Sequence, residues 1–346
     1  MTVRPIGYYV HHHGGGHRTR ASVIAAACAR PVVLLGTDVA SAGVELADDR
    51  CLSLRFDGRD DAPGRPGALH YAPLDHVGVR DRVAGIAGWI ARERPALMVV
   101  DVSVEVAMLA RLASVPTVYV RLNGERGDPP HLEAFLSASA LLAPFHPALE
   151  PDSTPDWVRT KTRYFPGITA TPSTDKRIDK RILVVFGLGG PIGDGDVLAA
   201  AARACPQWEW RIIGPASAAR NAPGNITFLG WVDAPVHEIA RASMVVGAAG
   251  DGLVGMVLAA DRPFLCIPEG RPFGEQNATA AGLHAAAAAV VHDTWPEAEK
   301  WPELIDRTMA LGSDGGHALH DPRGVQNAAS WLAELADGLV AQEPLA

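Results

Sequence analysis

Residues 245–283 read VVGAAGDGLVGMVLAADRPFLCIPEGRPFGEQNATAAGL, and this stretch decides the fold. An apolar run ends in a turn of small residues, Gly247 to Gly252, and a helical pattern follows. A second apolar run ends at Ile267, after which a loop carrying Glu269, Arg271, Glu275 and Gln276 leads into another helix. Short apolar strands alternating with helices are the pattern of a parallel sheet covered on both faces.

Outward from this stretch the same alternation runs through nearly the whole chain. In the first half, strands are predicted at 6–10, 32–35, 97–100, 117–120 and 140–143, with helices at 18–29, 79–94 and 104–113 between them. From His146 to Arg181, five prolines and three of the four lysines mark a linker. The pattern restarts with strands at 182–186, 210–213, 226–229, 244–247 and 264–267, a helix at 194–204 and an amphipathic helix at 325–340. Two α/β units enclose a cleft, and parallel sheets bind ligands beyond the carboxyl ends of their strands.

Composition agrees with two domains. The 346 residues are 48% hydrophobic and 20% charged, enough to bury a sizeable core. The net charge of −8 argues against a nucleic-acid partner, whose footprint is basic. No apolar run reaches the roughly 18 residues of a membrane span, and no signal peptide opens the chain, so a cytoplasmic location is expected. Cys28, Cys51, Cys205 and Cys266 lie far apart and read as reduced thiols.

Three further stretches carry candidate chemistry. In YYVHHHGGGHRTRA, 8–21, a strand runs into histidines and glycines just before a helix. The glycines admit a ligand close to the backbone, and the amides at a helix start favour anions. His17, with an unperturbed pKa of about 6.5, suits a general base, whereas His11, His12 and His13 read as structural. In LMVVDVSVEVAMLA, 97–110, Asp101 ends a buried strand, where it either orients His17 or caps the next helix; Ser103 is the alternative cap. In VVFGLGGPIGDGD, 184–196, Gly187, Gly189, Gly190 and Gly193 form a second Gly-rich turn without the G-x-G-x-x-G spacing, and Asp194 reads as a cap. At the end of 245–283, the adjacent carboxylate and amide of Glu275 and Gln276 suit a polyol's hydroxyls, or else Glu275 merely complements the helix dipole. Arg18, Arg20 and Arg271 are weaker candidates to assist anionic groups.

Taken in order, the Gly-rich turn with its histidine, the strand-ending aspartate, the linker, the G-x-G-G turn, NITFLGWVD at 225–233 and the 245–283 stretch resemble the GT-B glycosyltransferases. The MurG-like transferases of glycosyltransferase family twenty-eight are nearest in pattern. The resemblance implies an α/β chain of two Rossmann-like domains facing each other across a cleft. An acceptor-binding domain would span 1–165, a nucleotide-sugar-binding domain 166–322, and a last helix, 323–346, would pack back towards the first domain.

The implied activity is that of a bacterial, metal-independent, inverting hexosyl- or N-acetylhexosaminyl-transferase. It would use a nucleotide sugar, typically a UDP-sugar, as substrate, with no cofactor. By the resemblance His17 is the base and Asp101 its partner. Gly187, Gly189, Gly190, Leu229, Trp231, Val232, Gly250, Asp251, Gly252, Glu269, Glu275 and Gln276 would meet the donor. His13, Gly15, Gly16 and Asn123 would meet a small or lipid-linked acceptor, the latter bringing the chain to the inner face of the membrane. One departure is Met256, which stands where such proteins carry a ribose-binding glutamate; Asp251 or Glu269 are the candidate substitutes, and a nucleotide other than UDP is the other way out. Rival readings are a nucleotide-sugar epimerase or hydrolase, a nicotinamide-dependent oxidoreductase using Gly14 to Gly16 and Asp38, and a nucleotide-sugar-binding protein without catalysis.

Overall fold

A computed structural model describes residues 3–12, 15–39, 43–49, 64–312 and 314–341. The first unit runs β1 (Ile6–Tyr9), α1 (Gly15–Ala27), β2 (Val32–Gly36), β3 (Gly43–Glu45), α2 (Val77–Glu93), β4 (Leu97–Asp101), α3 (Val104–Leu112), β5 (Thr117–Val120), α4 (Pro129–Ser137), β6 (Ala140–Ala143), α5 (Asp156–Lys161) and β7 (Thr162–Tyr164). Its strands form one parallel sheet in the order β3-β2-β1-β4-β5-β6-β7. Every residue of β1 and β4 is buried, as continuous apolar runs require when helices cover both faces.

The second unit runs β8 (Arg181–Val185), α6 (Gly195–Ala204), β9 (Glu209–Ile213), β10 (Ile226–Gly230), α7 (Pro235–Arg241), β11 (Met244–Gly247), α8 (Asp251–Ala259), β12 (Phe264–Cys266), α9 (Glu275–Ala285), β13 (Val290–Val291), α10 (Trp301–Met309), α11 (Asp314–Ala318) and α12 (Gly324–Ala341). Its parallel sheet has the order β10-β9-β8-β11-β12-β13. In both sheets the chain starts at a central strand, winds to one edge and crosses back to the strand on the other side. Each sheet therefore has a switch point, between β1 and β4 and between β8 and β11, where a crevice opens at the carboxyl ends.

The linker is shorter than the prolines suggested. Within 146–181, α5 and β7 complete the first sheet, with Leu141 to Ala143 of β6 pairing Thr162 to Tyr164. A buried ion pair between Arg121 and Glu150, joined by Thr162 and Tyr164, holds this segment to β5. The connection between the two sheets is thus 165–180.

α12 leaves the second unit and lies on the first. Its Leu332 and Ala336 are fully buried among Ile6, Tyr8, Val10 and Ile24, and the tilted ring of Trp331 lies 5.3 Å from that of Phe165. Among the described residues no helix is long and apolar enough to cross a membrane. Cys28, Cys205 and Cys266 are free thiols, and Cys51 lies outside the described residues.

Candidate active site

The switch point of the first sheet brings His17 and Asp101 together. His17 is the third residue of α1, which begins at Gly15, three residues earlier than the sequence pattern predicted. Asp101 ends β4 and is fully buried. Its neighbour Val102 has φ 56, an outlier for a β-branched residue, and Tyr119 Oη donates a hydrogen bond to its carbonyl. Ser103 then caps α3 by accepting from Val106 N at 3.2 Å, which frees Asp101 from that task.

The freed carboxylate accepts from His17 Nδ1 at 3.0 Å. It also takes three hydrogen bonds from Arg20, from Nε at 3.2 Å and from Nη2 at 3.0 and 3.1 Å. Burial alone would raise the Asp101 carboxyl, but the Arg20 charge and His17 reverse this and hold it well below the usual carboxylate range. With Nδ1 donating to a permanent carboxylate, His17 keeps Nε2 as its basic nitrogen.

Of the other acceptor-side assignments, Gly15 and Gly16 form the open first turn of α1, where a side chain would meet nothing within 4 Å. His13 lies outside the described residues. Asn123 does not face a ligand: it is fully buried, donates to Leu149 O and Thr279 Oγ1, and accepts from Gly124 N. Beyond the end of β1 at Tyr9, His11 stacks on His12 at 4.7 Å and lies 5.4 Å from His17.

The second sheet's switch point faces this pair. Gly250 precedes α8, whose first residue, Asp251, lies 3.8 Å from Arg20 Nη1. A Cβ on Gly252 would sit 3.8 Å from Gly16 Cα, so the starts of α1 and α8 nearly touch across the cleft. Glu275 opens α9, accepts from Arg126 Nη2 at 3.0 Å, and is pushed up to about 6 by burial and by Asp251.

Gln276 acts as a brace through its side-chain carbonyl. Its Oε1 accepts from Ala249 N and Glu269 N, joining the turns after β11 and β12. Glu269 packs against Gly190, where a Cβ would approach its carboxylate to 2.4 Å, and Arg271 ties Glu269 to the Gly189 carbonyl. Gly187 and Gly189 remain exposed. Asp194 caps α6, accepting from Asp196 N and Val197 N. Leu229 and Val232 pack at the edge of the core, Trp231 is 57% exposed, and Met256 packs beside the core without a polar task.

Sequence reasoning missed a second constellation. His70 Nε2 donates to Asp128 Oδ2, His131 Nδ1 donates to Asp128 Oδ1, and Arg126 Nη1 donates to His131 Nε2 at 3.1 Å. These ligand atoms of His70, Asp128 and His131 lie within 4.8 Å of one another. A metal on His131 Nδ1 would force the ring proton onto Nε2, against the Arg126 guanidinium, so the group reads as a hydrogen-bond chain ending at Glu275. Burial, then Arg126, lower His131 to about 4. No periodicity marks these residues, His70 in a loop and Asp128 and His131 at the start of α4, and their meeting with Glu275 is purely tertiary.

No family model matches the chain, and no curated protein does. Solved structures match nearly end to end. The glycosyltransferase of kitacinnamycin aligns at 15% identity and TM-score 0.67 over 99% of this chain and 100% of its own. MurG of Acinetobacter baumannii aligns at 14% identity and TM-score 0.64 over 95% and 98%. The spinosyn rhamnosyltransferase SpnG, solved with thymidine diphosphate, aligns at 16% identity and TM-score 0.60 over 98% and 96%. The chain thus has the GT-B fold. Natural-product transferases share that fold as fully as MurG does, so the likeness is not MurG-like in particular.

Proposed function

We propose that this chain is a glycosyltransferase that moves a sugar from a nucleoside-diphosphate sugar to a hydroxyl of a small or lipid-linked acceptor, with inversion. The observation that carries the reading is the His17–Asp101 pair at one switch point, set against the start of α8 at the other. A base and an anion-favouring helix start on opposite walls of one cleft are what a displacement at an anomeric carbon needs.

In this mechanism His17 Nε2 takes the acceptor proton as the hydroxyl attacks, and Asp101 holds the ring's tautomer. Arg20 keeps Asp101 ionised throughout, so the imidazolium forms beside a fixed negative charge. The departing diphosphate gains charge next to the amides of Gly250 to Gly252, where preorganised dipoles stabilise it. The nucleotide sugar is a substrate and no resident cofactor enters. SpnG's complex with thymidine diphosphate supports a nucleoside diphosphate on this fold, and Met256 in place of a ribose-binding glutamate favours a nucleotide other than UDP.

A thermal-shift screen of UDP, TDP and their sugars tests the donor reading. A donor at 100 times its Kd should add about 2.7 kcal/mol. With donor and acceptor in hand, His17→Ala should lower transfer by about 10² or more while donor affinity stays unchanged. Stabilisation by no nucleotide would remove the reading. Release of free sugar from donor alone, at the same rate with and without acceptor, would replace it by a hydrolase.

A further inference from the structure

One nitrogen of Arg20 has no task in holding Asp101. Nε and Nη2 make all its hydrogen bonds to Asp101, with Nη2 also lying 3.0 Å from His17 Nδ1, whereas Nη1 faces Asp251 Oδ2 at 3.8 Å, beyond hydrogen-bond reach. Asp251 Oδ2 is itself buried without a hydrogen-bond partner. Two oppositely charged groups, each from one wall of the cleft, therefore lie close to each other with no hydrogen bond between them, and the carboxylate oxygen has no other. Arg20 is only 5% exposed, so its charge acts in a weakly screened place.

The surroundings are positive apart from carboxylates that are already held. α1 and α8 bring their N-termini together here, and each helix start carries roughly half a positive charge. Asp251 is faced by Arg20 and His17 from α1, Asp101 from β4 and Arg126 from the loop after β5, and it in turn acts on Glu275 of α9. Burial raises its carboxyl, Arg20 foremost pulls it down, and Asp101 adds to the rise. Asp101 is bound by Arg20, and Glu275 by Arg126. Asp251 is the acid left facing the site where the donor reading puts a diphosphate, and two anions cannot share one helix start cheaply.

We propose that Arg20 and Asp251 form a proton-linked seat for that diphosphate. In the empty site the Asp251 carboxylate is the counter-ion of Arg20 Nη1. When the diphosphate enters, Nη1 turns to a phosphate oxygen, and Asp251 takes one proton from solvent and donates it as a hydrogen bond to the same ligand. Binding then consumes one proton, and the pair selects an anionic leaving group over a neutral one. The proposal rests on the donor reading above, and it adds the two residues that would recognise the charge.

Titration calorimetry on the full chain tests this, with UDP and TDP as probes from pH 7.5 to 9. The terminal phosphate, which ionises near pH 6, has constant charge over that window. Affinity should fall with a slope approaching tenfold per pH unit, and buffers of different ionisation heat should report uptake approaching one proton. Asp251→Asn should abolish both the slope and the uptake and bind more tightly than the native protein at pH 9. Glu275→Gln and His17→Asn should keep the slope. Arg20→Lys, checked for native circular dichroism, should weaken binding about tenfold or more at every pH.

A flat profile in the native protein, a slope that survives Asp251→Asn, or one lost in Glu275→Gln would overturn the proposal while nucleotide binding left the transferase reading standing. Binding of neither probe by the native protein or by Asp251→Asn would overturn both.

Discussion

His17 and Asp101 were legible because each sits where a strand stops, and strand ends are written in the sequence as apolar runs meeting small or polar residues. Arg20 was visible only as one of several arginines, although its place three residues after His17 puts both on one helix face. His131 was invisible, and it carries a prediction of its own. Burial holds it neutral in the fold, with a pKa of about 4 against about 6.5 for an ordinary histidine. The unfolded chain therefore binds a proton that the folded chain refuses. The stability His131 contributes is complete above pH 6.5 and declines as pH falls towards 4, by about 3 kcal/mol in all. Urea unfolding of the native protein and of His131→Gln should show the native protein's advantage shrinking across that window. Parallel curves would mean that His131 is charged in the fold, and that Arg126 does not donate to it.

At the scale of elements, the strands of both sheets were readable wherever they were continuous apolar runs, because strands buried on both faces have no polar alternation to confuse. Four of the helices that went unread share a cause. α4, α7 and α10 each have proline in the first turn, and Pro155 precedes α5. Proline at that position costs no hydrogen bond and presets φ, so it opens helices as readily as it stops them. Read only as a stop, it also hid β7, whose three residues are too short for a pattern of their own. α12 was legible as an amphipathic helix, and its packing on the first sheet gives it a testable consequence. Leu332→Ala removes a fully buried side chain packed with Ile6, Tyr8 and Ile24 and should cost about 2–5 kcal/mol. Hydrogen exchange should show the loss in β1 and α1 first, although the substitution lies in the last helix of the chain. A loss confined to the second sheet would contradict the packing.

For the whole molecule, the question is what sets the two walls of the cleft at their spacing. The loop after β5 does much of this. Asn123 donates to Thr279 on α9, Glu125 N donates to Phe273 O at 2.7 Å, and Arg126 holds Glu275. Phe273 enters the first unit, its ring 4.7 Å from His131, 5.5 Å from His70 and 5.0 Å from the Arg126 guanidinium. Phe273 and Gly274 both have left-handed backbone, at φ 60 and 58, which glycine adopts freely but phenylalanine does not, so this contact holds Phe273 against its preference. At the centre of the contact, Gly124 has φ 103, and a Cβ there would lie 2.5 Å from Phe273 O and 2.9 Å from Glu275 Cα. Gly124→Ala therefore meets both an unfavourable backbone region and a backbone collision that no rotamer can relieve. Backbone strain of this kind costs about 1–3 kcal/mol and stays with the residue, whereas opening the cleft relieves the collision with Phe273 and Glu275 without disturbing either sheet. Small-angle scattering should show a larger radius of gyration for Gly124→Ala. Thermal unfolding should broaden or split, because each sheet keeps its own core while the coupling between them weakens. An unchanged radius with a single sharp transition would show that the spacing of the cleft is set by α12 crossing behind it, and not by the loop that carries Arg126.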